Sequence, residues 1–145
     1  MRKINMQGLE LVKAFEEFSP VPYADVAGHL TIGYGHLIKE GEKWQHIDEL
    51  QAEKLLRHDL RVAEYAVQRF IHVVLTDNQF SALVSFTFNL GAGALQRSTL
   101  RQKINRNEHQ DVPNEMLKWV FSGGKRWHGL WRRRKAESVL YCSKT

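Results

Sequence analysis

Residues 15–36, FEEFSPVPYADVAGHLTIGYGH, decide the reading of this 145-residue chain. They open on two adjacent acids, Glu16 and Glu17, at the end of a segment in which Leu9, Val12 and Phe15 follow one apolar stripe. At about 100° per residue, Glu16 falls roughly 40° from the middle of that stripe, and Glu17 falls about 140° away on the solvated side. Glu16 is therefore the acid turned toward the interior. A carboxyl held against apolar surface loses hydration of its charged form and can stay protonated near neutral pH, as a general acid must. On these residues alone a second reading stays open, in which Glu16 only ends a helix or pairs with a basic side chain.

Pro20 and Pro22 forbid a continuing helix and force an extended chain. A hairpin follows, with Ala27-Gly28 at its turn, and Leu30, Ile32 and Tyr34 alternate with Thr31, Gly33 and Gly35. The alternation puts Thr31 on the side away from the face that Leu30 and Ile32 are expected to bury. Asp25, just before the turn, is expected in a polar, solvated place where it remains ionised. Two carboxyl groups in contrasting surroundings, one apolar and one wet, are the arrangement that divides acid and base roles in glycoside hydrolysis.

Glu16, eight residues, Asp25, five residues, Thr31, and then Ile-Gly-Tyr-Gly-His resemble the catalytic signature of the phage-type lysozymes of glycoside hydrolase family 24, endolysins with a T4-lysozyme-like fold. Counting from Glu17 leaves only seven residues before Asp25, so the spacing selects the same acid as the helix face. Two further segments carry the resemblance: FNLGAGAL at 88–95, and Gly129-Leu130 followed by Arg133-Arg134 and Glu137. The family usually has Glu-Gly where this chain has Glu16-Glu17, so a second acid beside the site is expected to bear on the pH profile. The resemblance implies an α+β, mainly helical, lysozyme-like two-lobed fold with a small N-terminal β-hairpin lobe. It also implies hydrolysis of the β-1,4 bond between N-acetylmuramic acid and N-acetylglucosamine in peptidoglycan, for host-cell lysis. Glu16 would be the general acid, Asp25 would position and activate water, and Thr31 would hold that water. The glycines at 33 and 35 are expected to permit turns or close backbone approach, and His36 is expected to be a satisfied structural histidine.

Asp48 to Gln51 reads as a helix cap, and Leu56, Leu60, Ala63, Val67 and Phe70 continue one apolar face. This predicts one helix over 48–70, about 33 Å long, joining lobes at roughly 15–47 and 71–145 of a single domain. Thr76 to Gln79 is a second cap, and Phe80, Leu83, Val84, Phe86, Phe88 and Leu90 are too many apolar positions for one face. That helix should be central to the C-terminal lobe and stop at Gly91-Ala92-Gly93. Asn89 within it is either a substrate-binding residue reaching the cleft or a helix-end residue satisfying backbone groups. Ser98 opens a short helix, Pro113 suits the first turn of another, and Ser122-Gly123-Gly124 breaks the chain before the last helix.

The formal charge is +5, and residues 118–145 hold eight basic residues against Glu137 alone, which leaves +7 there and −2 elsewhere. Arg132, Arg133, Arg134 and Lys135 are the candidates for membrane or polyanion contact, including anionic outer-membrane lipid, through an amphipathic C-terminal helix with Trp127, Leu130, Trp131, Val139 and Leu140. The same apolar residues could instead close the lobe, leaving the arginines solvated or paired. Cys142, the one cysteine, excludes an internal disulfide, and no HExxH-like spacing among seven histidines suggests a metal, so no cofactor is expected. No nucleic-acid partner is expected, and the chain is expected to act as a monomer. MRKINMQGLELVKAF contains no apolar run of signal-peptide length. The expectation is residence in the host bacterial cytoplasm until release to the periplasm, for which the resemblance implies a holin. Two rivals remain at this level: a lytic transglycosylase acting on the same bond, and a non-catalytic cationic module binding membrane or polyanion.

Overall fold

Helix α1 (Met6–Glu16) stops where the sequence turns from apolar periodicity to proline. Glu17, the next residue, takes a left-handed conformation at φ 58°, and its N–H closes the last turn on the Lys13 carbonyl at 3.0 Å. The computed structural model describes residues 1–144 and forms two units, one of residues 12–61 and one of residues 1–11 with 62 onward. Helix α1 begins in the second and ends in the first.

In the 12–61 unit, strands β1 (Ser19–Ala24), β2 (Leu30–Gly33) and β3 (His36–Leu37) form an antiparallel sheet in that order. Tyr23 lies opposite Thr31, and Thr31 opposite Leu37. The register shifts between Ser19 and Tyr23, where Pro20 and Pro22 have no N–H to give the ladder. The expected burial of Leu30 is wrong: it is 57% exposed, whereas Thr31 is 3% exposed and Ile32 is fully buried. Leu30 opens the strand at the sheet's end, where nothing covers it, and burial begins one residue later.

Helix α2 (Glu49–Asp59) packs on β2 and starts with the predicted capping box, Asp48 and Gln51 each satisfying the other's backbone N–H. Its approach is close: a Cβ at Gly33 would meet the Ala52 Cβ at 3.2 Å and Ile47 at 3.1 Å. His36 is buried between two carboxylates, with Nδ1 2.7 Å from Asp59 and Nε2 3.2 Å from Glu42. Lys13 on α1 pairs with Glu53 on α2.

The single helix expected over 48–70 is two, α2 and α3 (Arg61–Phe70), separated at Leu60. Leu60 keeps φ −68° but has ψ −16°, a 3₁₀-like value, and its N–H reaches both Leu56 and His58 carbonyls. The apolar period runs through this break without a signal, because Leu60 itself is fully buried.

In the other unit, the helices are α3, α4 (Asp77–Leu90), α5 (Ala92–Arg97), α6 (Thr99–Asn105) and α7 (Val112–Met116), with a 3₁₀ turn at His109–Asp111. A two-stranded hairpin, β4 (Phe121–Ser122) and β5 (Lys125–Arg126), leads into α8 (His128–Cys142). Thr76 and Gln79 form the capping box of α4, and Ser98 caps α6. Helix α4 is enclosed nearly all round, burying Phe80, Leu83, Val84 and Phe86 and also Ser81, Ser85 and Thr87. Residues 1–11 join this unit because the Ile4 N–H donates to the buried Glu64 at 2.7 Å and Asn5 bonds Ser81 and Asn78.

Arg133 and Arg134 do not face solvent as a polyanion-contact run requires; they are 4% and 0% exposed. Arg134 Nε donates to Glu137 at 2.7 Å and Arg133 Nε at 3.3 Å, and the Ser85 hydroxyl donates to the same carboxylate at 2.6 Å. Four consecutive basic residues sweep about 300° of a helix, so packing α8 on α4 had to bury some of them, and Glu137 at i+3 and i+4 neutralises those. Burial opposes the charge on both sides, pushing the Glu137 carboxyl up and the Arg134 guanidinium down. Arg132 and Lys135 remain exposed.

The left-handed Glu17 yields a stability prediction. An L-residue there carries a steric cost of about 1 kcal/mol that glycine does not. Glu17→Gly should raise the Tm by roughly 2–4 °C, read by calorimetry; a lower Tm would contradict this account of how α1 ends.

Candidate active site

Asp25 follows β1 and builds the turn into β2 around itself. Its Oδ1 accepts the N–H groups of Ala27 at 3.0 Å and His29 at 2.8 Å, its N–H donates to the His29 carbonyl at 2.8 Å, and its carbonyl accepts from Gly28 at 2.9 Å. This is an Asx-type turn, with Gly28 supplying φ 84°. The hydrogen bond from the His29 N–H leads the effects that hold the carboxyl below its usual range; partial desolvation opposes, and the His29 ring and the Ala27 N–H assist. The expected ionised carboxylate therefore has a named cause in the backbone.

Thr31 donates its hydroxyl to the His29 carbonyl at 3.0 Å. The two sides of one residue thus tie the pair together, since the His29 N–H holds Asp25 and its C=O holds Thr31. With its proton directed there, the Thr31 oxygen retains acceptor capacity.

Glu16, the last residue of α1, is half-buried and Glu17 is exposed, as the helix-face argument expects. The backbone between β2 and β3 runs against the Glu16 carboxylate. At Gly35, φ is 82°, and a Cβ there would stand 3.0 Å from Glu16 Oε1. The glycine is required twice, once for its conformation and once for its lack of bulk.

Tyr23 completes the group. It faces the same side of the sheet as Thr31, directly across the ladder. Burial, and then the charges of Glu16, Asp25 and Glu17 in that order, push its phenol above the ordinary range. Tyr23 is thus a hydrogen-bond donor across neutral pH, standing in the field of all three acids.

The phage lysozyme family profile matches residues 13–137. The chain belongs to the phage lysozyme family. An endolysin of Bacillus phage B103 is 43% identical over 140 residues, covering 95% of this chain and 53% of the relative. With 56% for a second Bacillus phage endolysin, from PZA, the chain spans about half the length of these curated relatives. Among solved structures, a P22 lysozyme mutant superposes with TM-score 0.90 at 30% identity, covering 99% of this chain and all of the other. The muramidase domain of SpmX from Asticaccaulis excentricus gives 0.89 at 32% identity, covering 99% and 100%. The α+β, mainly helical fold is that of phage lysozymes.

Within this lysozyme-family chain, Glu16, Asp25 and Thr31 fall in one unit and the other candidates in the other. Asn89 is part of the α8 network: its Oδ1 accepts from Arg134 Nη2 at 2.6 Å. That bond engages its carbonyl oxygen with a buried guanidinium, a use that neither sequence reading foresaw. Tyr23 and His29 are the residues around Asp25 to which the sequence assigned no role, while Gly35 makes the close backbone approach expected of it. Tyr23 lies two residues before Asp25 on an extended strand, so the period of two was an available signal. His29 acts through its peptide group and left none.

Two measurements follow. Because the Asp25 pKa is depressed, the anion forms above the folded-state value and is lost only as pH falls through it. Carbon NMR titration should therefore place the Asp25 midpoint below 3.8; a midpoint above that value would contradict the cradle. Gly35→Ala should lower the Tm by several degrees, because φ 82° strains an L-residue by about 1–2 kcal/mol and the new Cβ would press on Glu16 Oε1. An unchanged Tm in calorimetry would show that the chain at Gly35 does not need glycine.

Proposed function

We propose that this chain is a lysozyme that hydrolyses the β-1,4 bond between N-acetylmuramic acid and N-acetylglucosamine in bacterial peptidoglycan, in the service of host-cell lysis. The observation that carries the reading is the contrast between two carboxylates of one unit. Asp25 is fixed as an anion by backbone N–H groups on an open turn, and Glu16 is half-buried at a helix end with the Gly35 backbone against it. Family membership and relatives named endolysin support the choice of substrate.

In this reading Glu16 protonates the leaving glycosidic oxygen. Asp25 acts from the other face of the sugar ring, orienting a water, accepting its proton and stabilising the positive charge that develops at the anomeric carbon. Thr31 accepts a hydrogen bond from that water, which its own bond to the His29 carbonyl leaves it able to do. Water attack from the opposite face inverts the anomeric carbon, and inversion requires carboxyl groups roughly 6.5–9.5 Å apart. Glu17, exposed and past the helix end, takes no part in proton transfer.

The test is clearing of purified peptidoglycan by wild type, Glu16→Gln, Asp25→Asn and Glu17→Gln, each checked for folding by circular dichroism. General acid–base catalysis contributes about 10²–10⁴-fold. The first two variants should fall by that order and Glu17→Gln should stay near wild type. Loss in Glu17→Gln alone would move the acid by one residue, and unchanged clearing in Glu16→Gln and Asp25→Asn would remove the carboxylate pair from the mechanism.

A further inference from the structure

The β4–β5 hairpin and the residues that follow it form an exposed surface in the unit that does not hold Glu16 and Asp25. Every residue from Phe121 to Gly129 is exposed. Gly123 and Gly124, at φ 61° and 76°, make a tight two-residue turn between Phe121-Ser122 and Lys125-Arg126. Large aromatics are displayed beside the turn rather than buried, with Phe121 59% and Trp127 47% exposed. The Trp127 indole N–H donates to the Ser122 carbonyl at 3.1 Å, and the Lys125 ammonium lies 4.9 Å over the Trp127 ring. These bonds hold the aromatic and cationic groups together in one small patch.

We propose that this hairpin docks onto an anionic phospholipid surface, with Phe121 and Trp127 entering the headgroup layer and Lys125 and Arg126 meeting lipid phosphates. Charge complementarity carries the choice. Residues 120–130 hold Lys125 and Arg126 and no Asp, Glu, Asn or Gln, so the hairpin and its exit are cationic, whereas Lys118, Arg133 and Arg134 on either side are paired with Glu115 and Glu137. The hairpin also lacks the planar acceptors with which a protein reads sugar hydroxyls. The indole N–H that could serve a glycan is already given to Ser122. Phe121 has no polar group to offer a sugar or peptide, and an exposed Phe beside a Trp and two cations is the composition of an interfacial anchor. Lysine and arginine keep their charged ends at phosphate level while their stems cover apolar surface. The buried Arg133 and Arg134 cannot contribute; of the C-terminal cations, Lys125 and Arg126 stand beside the exposed aromatics, and Arg132 and Lys135 lie exposed further along α8.

The experiment is co-sedimentation of the full chain with vesicles of equal parts phosphatidylglycerol and phosphatidylcholine, and with pure phosphatidylcholine vesicles. Wild type should bind the first at least tenfold more tightly than the second. Lys125→Glu with Arg126→Glu should reduce that binding more than tenfold, and so should Phe121→Ser, which leaves the Trp127–Ser122 bond in place. Clearing of purified peptidoglycan by each variant, together with circular dichroism, verifies that it is folded. Absence of wild-type binding to anionic vesicles, or equal binding by the variants, overturns the proposal. Loss of binding to purified peptidoglycan or duplex DNA in variants whose vesicle binding is unchanged overturns it too, by giving the surface to the wall or to nucleic acid.

Discussion

Helix α1 has to end at Glu16, and the arrangement around the carboxylates depends on that stop. Glu17 provides it by taking a left-handed conformation, closing the turn on Lys13 and releasing the chain toward β1. One residue more of helix would send the chain that leaves Glu16 in a different direction from the one that reaches β1 at Ser19. A glutamate is a poor residue for the task, since its Cβ crowds the neighbouring carbonyl in this region of φ and ψ. The chain holds this backbone shape at that steric cost and gains an exposed negative charge beside Tyr23.

From that stop the two carboxylates acquire opposite surroundings by opposite means. Glu16 owes its position to tertiary packing: an apolar helix face on one side and, on the other, the chain at Gly35, where a Cβ would stand 3.0 Å from its carboxylate. Asp25 owes its position to five residues of local chain that fold back on its side chain and backbone. A local turn holds Asp25 through backbone N–H bonds, and a packed helix end holds Glu16 against the chain at Gly35, so the two half-buried carboxylates differ in what surrounds them. The His29 peptide links the turn to Thr31, so the proposed water-handling residues move as one piece.

What could be read from the sequence was local. The inward placement of Glu16 relative to Glu17 followed from 100° steps along one helix, and the caps at Asp48, Thr76 and Ser98 from four-residue patterns. The enclosure of α4 followed from apolar residues on all its faces. What could not be read depended on distant partners or on one dihedral. Leu30 keeps the strand alternation yet lies where the sheet runs out, and Leu60 keeps the helix period while its ψ departs from it. The placement of residues 1–11 with the unit that begins again at 62 rests on Glu64, Asn78 and Ser81, more than fifty residues away. The arginine run misled because charge was counted by segment and not by face. Glu137, three and four residues on from Arg134 and Arg133, was the signal that these two turn inward.

The division of labour between Glu16 and Asp25 can be tested at the product. Proton NMR of peptidoglycan fragments in the first minutes of digestion by wild-type protein reports the new sugar end directly. The account predicts reducing N-acetylmuramic ends that appear first as the α anomer, because Asp25 delivers water from the face opposite Glu16. Ends carrying a 1,6-anhydro bridge would contradict it, since that product forms when the sugar's own hydroxyl displaces the chain and leaves Asp25 without a water to activate.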